Sequence, residues 1–285
     1  MADRTFVTLA DQGSFFEGPR WRDGRWWVSD FYRHAVLAVA PDGTTEHVMT
    51  VEGQPSGLGW LPDGSLLVVS MTDRRVLRRS PTGSVTTHAD LAEHCGGPAN
   101  DMVVAADGRA WVGNFGFDFM AGATPRPAAL VRVEVDGSTA VAAHDLAFPN
   151  GAVITPDGTM LVVGETMGAR YTAFTITGEG LLTDRRVWAS VDRVSPDGCA
   201  LDAEGHIWAA DALGHRLVRV AADRGVVDEI PVPDGLGAYA CMLGGADGCT
   251  LLACCAPDFH EARRRAAREA VLLTTTVDVP HAGLP

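Results

Sequence analysis

DGCALDAEGHIWAAD, residues Asp197 to Asp211, is a short apolar run, an acid-glycine turn and a second apolar run. Glycine accepts positive φ, so such a stretch reads as a β-hairpin. The pattern returns in EGPRWRDGRWWVSD (Glu17 to Asp30), SGLGWLPDGSLLVVSM (Ser56 to Met71), NDMVVAADGRAWVGNF (Asn100 to Phe115), NGAVITPDGTMLVVGE (Asn150 to Glu165) and ACMLGGADGCTLLACC (Ala240 to Cys255). The turn acid falls at 23, 63, 107, 157, 204 and 247, at intervals of 40, 44, 50, 47 and 43. No ordinary amphipathic helix fits between the copies, whereas two more strands do, as in HAVLAVA then TTEHVMTV. Four strands in roughly 40–50 residues make one propeller blade. Six copies therefore predict an all-β, six-bladed β-propeller, with residues 1–285 forming a single domain.

Closure of the ring is also predicted. After the last hairpin the tail offers one strand, VLLTTTVDV (Val271 to Val279), and the unused strand RTFVTLA (Arg4 to Ala10) is left to complete that blade. N- and C-terminal strands would then share a sheet and leave no open seam. The charged stretch His260 to Ala270 reads as a solvated face with one or two helical turns.

Composition narrows the functional classes. Lys and Arg total 23 against 36 Asp and Glu, a net charge of −13. Such a surface repels phosphate backbones and anionic lipid, so neither nucleic acid nor membrane is an expected partner. The start has no basic and apolar leader, no apolar run reaches the ~18 residues of a membrane span, and the six cysteines show no CxxC spacing. A cytoplasmic chain with reduced, buried thiols is expected. Lipase elbows, HExxH helices and dinucleotide loops are absent from the sequence. The seven tryptophans recur mostly within the hairpins and read as packing between blades.

Repeat phase locates a candidate site. Seven residues before the turn acid stand Ser56, Asn100, Asn150, Asp197 and Ala240; in the first copy Glu17 stands six before. Equivalent positions in a propeller form one ring around the axis. Glu17, Asn100, Asn150 and Asp197 would supply two carboxylates and two amides there, a set suited to a hard divalent cation. Each alone is an ordinary turn residue; it is their shared phase that points to a site. None is His or Cys, which disfavours structural zinc. A second ring, Asp30, Asn114, Glu165 and Asp211, closes the return strands near the same mouth and would orient ligands, bind substrate or merely face solvent.

With these residues in view, the chain resembles the SMP-30/gluconolactonase/LRE-like family of six-bladed propellers. EGPRW at Glu17, ND at Asn100–Asp101, PNG at Pro149–Gly151 and PDGCALDAEGHIWAA around Asp197 carry the resemblance. It implies a central divalent metal held at Glu17, Asn100, Asn150 and Asp197, calcium foremost, with magnesium, manganese or zinc as alternatives. It also implies a lactone-opening hydrolase with a small-molecule substrate, in which Asp197 doubles as general base. Where sugar-lactonase members carry a substrate-contacting arginine, two before the first metal Asn, this chain has Pro98. Beyond Asn114 comes GNFGFDF and a long insert, so Phe115, Phe117 and Phe119 would form an aromatic lid. Asp118 falls near a substrate-binding acid of the family. The expected substrate contacts are thus Asn114, Phe115, Phe117, Asp118 and Glu165, and the expected lactone is less hydroxylated than a sugar lactone. The alternatives are a metal-dependent isomerase or cyclase acting on a carbonyl, and a non-catalytic binding propeller. Oligomeric state is left open by the sequence.

Overall fold

Each acid-glycine turn closes an antiparallel pair, and each pair is extended outward by two more strands, giving six four-stranded sheets arranged in a ring. The computed structural model describes residues 4–283, so the extreme ends of the expected 1–285 domain lie outside it. Blade 1 runs outward through Phe16–Arg22, Arg25–Asp30, Ala35–Val39 and Thr45–Thr50. The innermost strands of blades 2 to 6 are Pro55–Trp60, Ala99–Val104, Pro149–Ile154, Pro196–Leu201 and Gly237–Gly244. In blade 6, Thr250–Ala256 and Ala270–Thr276 follow, and the N-terminal strand Val7–Gly13 adds the outer edge. The two chain ends therefore meet in one sheet, as expected, with the strand limits moved by about three residues.

The core lies between blades. Second strands such as Leu66–Ser70 and Ile207–Asp211 are buried along their whole length and rich in Val, Leu, Ile and Ala. Trp111 and Trp208, each 1% exposed, fill the largest gaps. Among the described residues, no helix is long and apolar enough to cross a membrane. The stretch expected as a solvated face holds one helical turn, Glu261–Arg264, in which Arg264 is buried and bridges Asp258 (3.3 Å) and Glu269 (2.7 Å). Two acidic partners make that burial tolerable for a guanidinium.

Two local devices shape the channel. Every innermost pair changes register once, and in blades 2 to 5 the change spans Ser56–Gly57, Asn100–Asp101, Asn150–Gly151 and Asp197–Gly198. A bulge re-aims the side chains it contains. Blade 1 closes on the two-residue turn Asp23-Gly24, with φ of 52° and 73°. That turn is shorter than the one joining Trp60 to Leu66, which explains why Glu17 stands six rather than seven before its acid. The second device is close approach. A Cβ on Gly151 would lie 2.4 Å from the Asp197 carbonyl, and one on Gly18, at φ 53°, 2.6 Å from the Ser56 carbonyl. Neighbouring inner strands touch backbone to backbone there, which draws the ring of polar residues toward the axis.

Candidate active site

The bulges and close approaches bring Glu17, Asn100, Asn150 and Asp197 to the wall of one cavity of about 580 Å³ at the end of the channel where the innermost strands begin. All four are buried, with exposures of 6–8%. Ser56, the second-blade member of the phase, is turned aside, and its hydroxyl lies 3.4 Å from the Asn100 Oδ1. In blade 6 the register change falls at Tyr239 rather than Ala240, and Tyr239 lines the cavity.

The electrostatics of this ring are uncompensated. Burial holds the Glu17 carboxyl well above the usual carboxylate range, and the charge of Asp197 raises it further. Burial likewise raises Asp197, followed by the charge of Asp101. Hydrogen bonds from the Gly18 N–H to Glu17 (2.9 Å), and from Asn150 and the Gly198 N–H to Asp197, offset only part of this. Among the described residues neither acid has an ion pair. Asp101 behind them does, at 3.1 Å from Arg20, whose remaining contacts are the carbonyls of Pro19 and Met102. Three carboxylates and one guanidinium leave two negative charges without a partner. Among the described residues no three His, Cys, Asp or Glu side chains gather as a metal cage. A cation here would rest on two carboxylates and two amide oxygens. That donor set and charge fit one hard divalent ion.

The second ring behaves differently, and two expected substrate contacts are corrected. Asn114 is fully buried; its amide donates to the Ala129 carbonyl (2.7 Å) and its oxygen accepts from the Gly116 N–H (2.9 Å). Glu165 takes two bonds from Arg170 (2.8 and 2.9 Å), one from the Thr172 hydroxyl and one from the Ala147 N–H (2.7 Å). Neither reaches the cavity. Asp30 and Asp211 likewise accept from the N–H groups of Ser14, Phe15 and Ser195. Asp30, Glu165 and Asp211 tie the return strands of their blades to the loops that enter the inner strands, and Asn114 ties its own to the third strand.

Of the phenylalanines, Phe115 and Phe119 line the cavity, whereas Phe117 packs in the core behind them, its ring 6.1 Å from that of Phe119. Asp118 is exposed, accepts a hydrogen bond from the Ala121 N–H (3.0 Å) and lines an adjoining lobe with Arg74, Gly97 and Pro98 rather than the main cavity. Sequence reasoning missed Phe15, Tyr32, Phe148, Tyr239 and Phe259 on the wall. The repeat carries a signal for several of them. Phe15, Phe148 and Ser195 stand two residues before a ring member, and Phe31, Phe115, Thr166 and Ala212 stand one after the strand-end ring; all seven line the cavity.

Comparison with known proteins adds the following. A family model described as the SMP-30/Gluconolactonase/LRE-like region matches residues 15–256. A virginiamycin B lyase of Nocardia farcinica is 35% identical over 142 residues, 48% of this chain and 45% of that protein. A pentonolactonase of Haloferax volcanii is 28% identical over 226 residues, 76% of this chain and 73% of that protein. The structure of a gluconolactonase of Xanthomonas campestris superposes with a TM-score of 0.75 at 26% identity, covering 98% of this chain and 91% of that one. The chain spans about half the length of two of the curated relatives it matches.

Proposed function

The chain belongs to the SMP-30/gluconolactonase/LRE-like family, and from that premise we propose that it is a divalent-cation-dependent hydrolase opening a lactone less hydroxylated than a sugar lactone. The observation that carries this reading is the pair of buried, unpaired carboxylates, Glu17 and Asp197, set with Asn100 and Asn150 at the base of a cavity whose wall carries eight aromatic rings. These four residues would hold the cation, with calcium the first choice for an all-oxygen set. When bound, it supplies Lewis acidity toward the ester carbonyl and offsets the charge that develops on its oxygen.

The chain's own groups do the rest. Phe15, Phe115 and Phe148 exclude bulk water from one side of the lactone, which strengthens every charge interaction inside. The Asp197 carboxyl, held above the usual range by burial, is placed to serve as the base. Its oxygen accepts a proton as water adds to the carbonyl carbon, then returns that proton to the ring oxygen as the ester bond breaks. The single product is a hydroxy acid, which ionises to the carboxylate and releases one proton. Five of the six free cysteines are buried, which accords with a cytoplasmic enzyme.

The similarity to a lyase favours a second reading, ring opening without added water. A lactone panel followed by acid release and product mass, with and without chelator, separates the two. Hydrolysis adds the mass of one water, and elimination adds none. Acid release insensitive to chelator would remove the cation from the reading, and no turnover with any lactone would leave a binding propeller.

A further inference from the structure

The aromatic side chains around the cavity form one unbroken series of ring contacts between residues far apart in the chain. Phe31 meets Phe15 at 5.3 Å between centroids, Phe15 meets Tyr239 at 4.7 Å, and Tyr239 meets Phe259 at 6.2 Å. Phe259 continues to Phe119 at 5.8 Å, Phe119 to Phe148 at 5.8 Å, and Phe148 stacks on Phe115 at 4.4 Å with planes 18° apart. Every ring in the series lines the cavity. Blade packing alone does not call for this, because the equivalent positions in blade 5 carry Ser195 and Ala212. Phe119 and Phe259 come from inserted segments of blades 3 and 6 that meet over the channel. The Tyr32 hydroxyl donates to the Phe259 carbonyl (2.7 Å) and ties one of those segments to blade 1.

The belt has little to offer a sugar. Of its two tyrosine hydroxyls, that of Tyr32 is already spent on the Phe259 carbonyl, which leaves Tyr239; the other polar groups of the wall, among them Thr166, Arg193 and Ser195, stand outside the series of rings. Hydroxyls pressed against such a wall lose their water partners without replacement. Flat apolar groups gain instead, since aromatic pairs prefer the stacked and tilted arrangements seen here. At the open rim Met120, Met167 and Leu213, exposed at 46%, 46% and 68%, extend the apolar surface beside the exposed Arg193. A cavity of about 580 Å³ lies within the roughly 300–1,000 Å³ typical for drug-sized ligands.

Resting on the lactone-hydrolase reading, we propose that the substrate is an aryl-bearing lactone, its aromatic group held in the belt while its ester carbonyl faces Glu17, Asn100, Asn150 and Asp197. Water adds to the carbonyl carbon, the ring C–O bond breaks, and the ring oxygen leaves as the hydroxyl of an aryl hydroxy acid.

The test compares γ-phenyl-γ-butyrolactone with glucono-δ-lactone on the calcium-supplemented protein, each as kcat/KM over its spontaneous rate. The aryl lactone is expected to win by at least about tenfold. In Phe119→Leu and Phe259→Leu, both in inserted segments, that preference falls by about 3–10-fold, with melting temperature recorded to exclude unfolding. Preference for the sugar lactone, or an aryl preference untouched by both substitutions, overturns the inference and leaves the hydrolase reading standing. If no lactone turns over, the hydrolase reading fails, and calorimetry decides the inference by itself. Binding of the phenyl lactam more tightly than gluconolactam upholds the aryl belt, and equal or weaker binding overturns it.

Discussion

Glu17 in blade 1 and Glu165 in blade 4 are the same residue type, and both are buried, yet their surroundings are opposite. Glu165 is enclosed by Arg170, Thr172 and the Ala147 N–H, and these donors hold its carboxyl below the usual range despite burial. Glu17 has one N–H, from Gly18, so burial, and after it the charge of Asp197, holds its carboxyl well above that range. A carboxylate built into the scaffold arrives with its donors; one left without them is a place where something else supplies the positive charge. Within this propeller that contrast separates the ring that ties loops from the ring that lines the cavity.

The largest effect is expected from removing the unsatisfied charges. Glu17→Gln and Asp197→Asn should each lower lactone turnover by about 10³-fold or more, since the first removes a charged ligand of the cation and the second removes both a ligand and the base. Each should also abolish the rise in melting temperature that calcium gives the wild type. Without metal the variants should melt no lower than wild type, because an uncompensated buried charge has gone. The sign of the pH effect follows. The folded pKa values of Glu17 and Asp197 are raised, so the folded chain binds more protons than the unfolded one. Chelated wild type should therefore lose stability as pH rises from the ordinary carboxylate range through the raised values. Urea melts across about pH 5–8 measure the slope, and both variants should flatten it. A calcium shift that survives in both would break the comparison.

Glu165→Gln tests the other side with a smaller effect. Losing a charge-assisted pair to Arg170 should cost about 1.5–3 kcal/mol of stability near neutral pH, with no loss of calcium response. Here the folded pKa is lowered from 4.5. The contribution is complete above the ordinary value and is lost as pH falls through the lowered one. Wild type and variant should converge in acid, as denaturant melts at about pH 3 and 7 would record.

Much of this was legible because a propeller writes its geometry in repeat phase. The acid-glycine turns marked six hairpins, and an offset of seven from those turns, or six in the first copy, reached Glu17, Asn100, Asn150 and Asp197. Phase could not tell the two polar rings apart, since Asn114 and Glu165 are residue types that bind ligands as readily as they tie loops. The difference lies in Arg170, Thr172 and backbone N–H groups brought alongside by pairing with the neighbouring strand and by the entering loop, which no spacing within one strand reveals. Phe259 was hidden for another reason. It stands outside the repeat, beside a charged stretch whose Arg264 is buried by partners, and composition alone gave that stretch to solvent.

The smallest effect sharpens what makes the cavity ring converge. A methyl on Gly151 would meet the Asp197 carbonyl at 2.4 Å and the Cys199 nitrogen at 2.8 Å, backbone atoms that cannot turn aside. Gly151→Ala should therefore cost about 1–2 kcal/mol by pushing two inner strands apart. Because Asn150 precedes this glycine and Asp197 lies across from it, the same shift should weaken calcium binding by about tenfold, read by calorimetry. Gly178→Ala is the matched control. It has open space around its Cβ and no positive φ, so it should be neutral or stabilising by up to about 1 kcal/mol and leave calcium affinity alone. If Gly151→Ala lowered stability and spared affinity, strand approach would be packing only. The bulges alone would then aim the four oxygen donors, and Glu17 would owe its exposure to charge to the register change in its own blade.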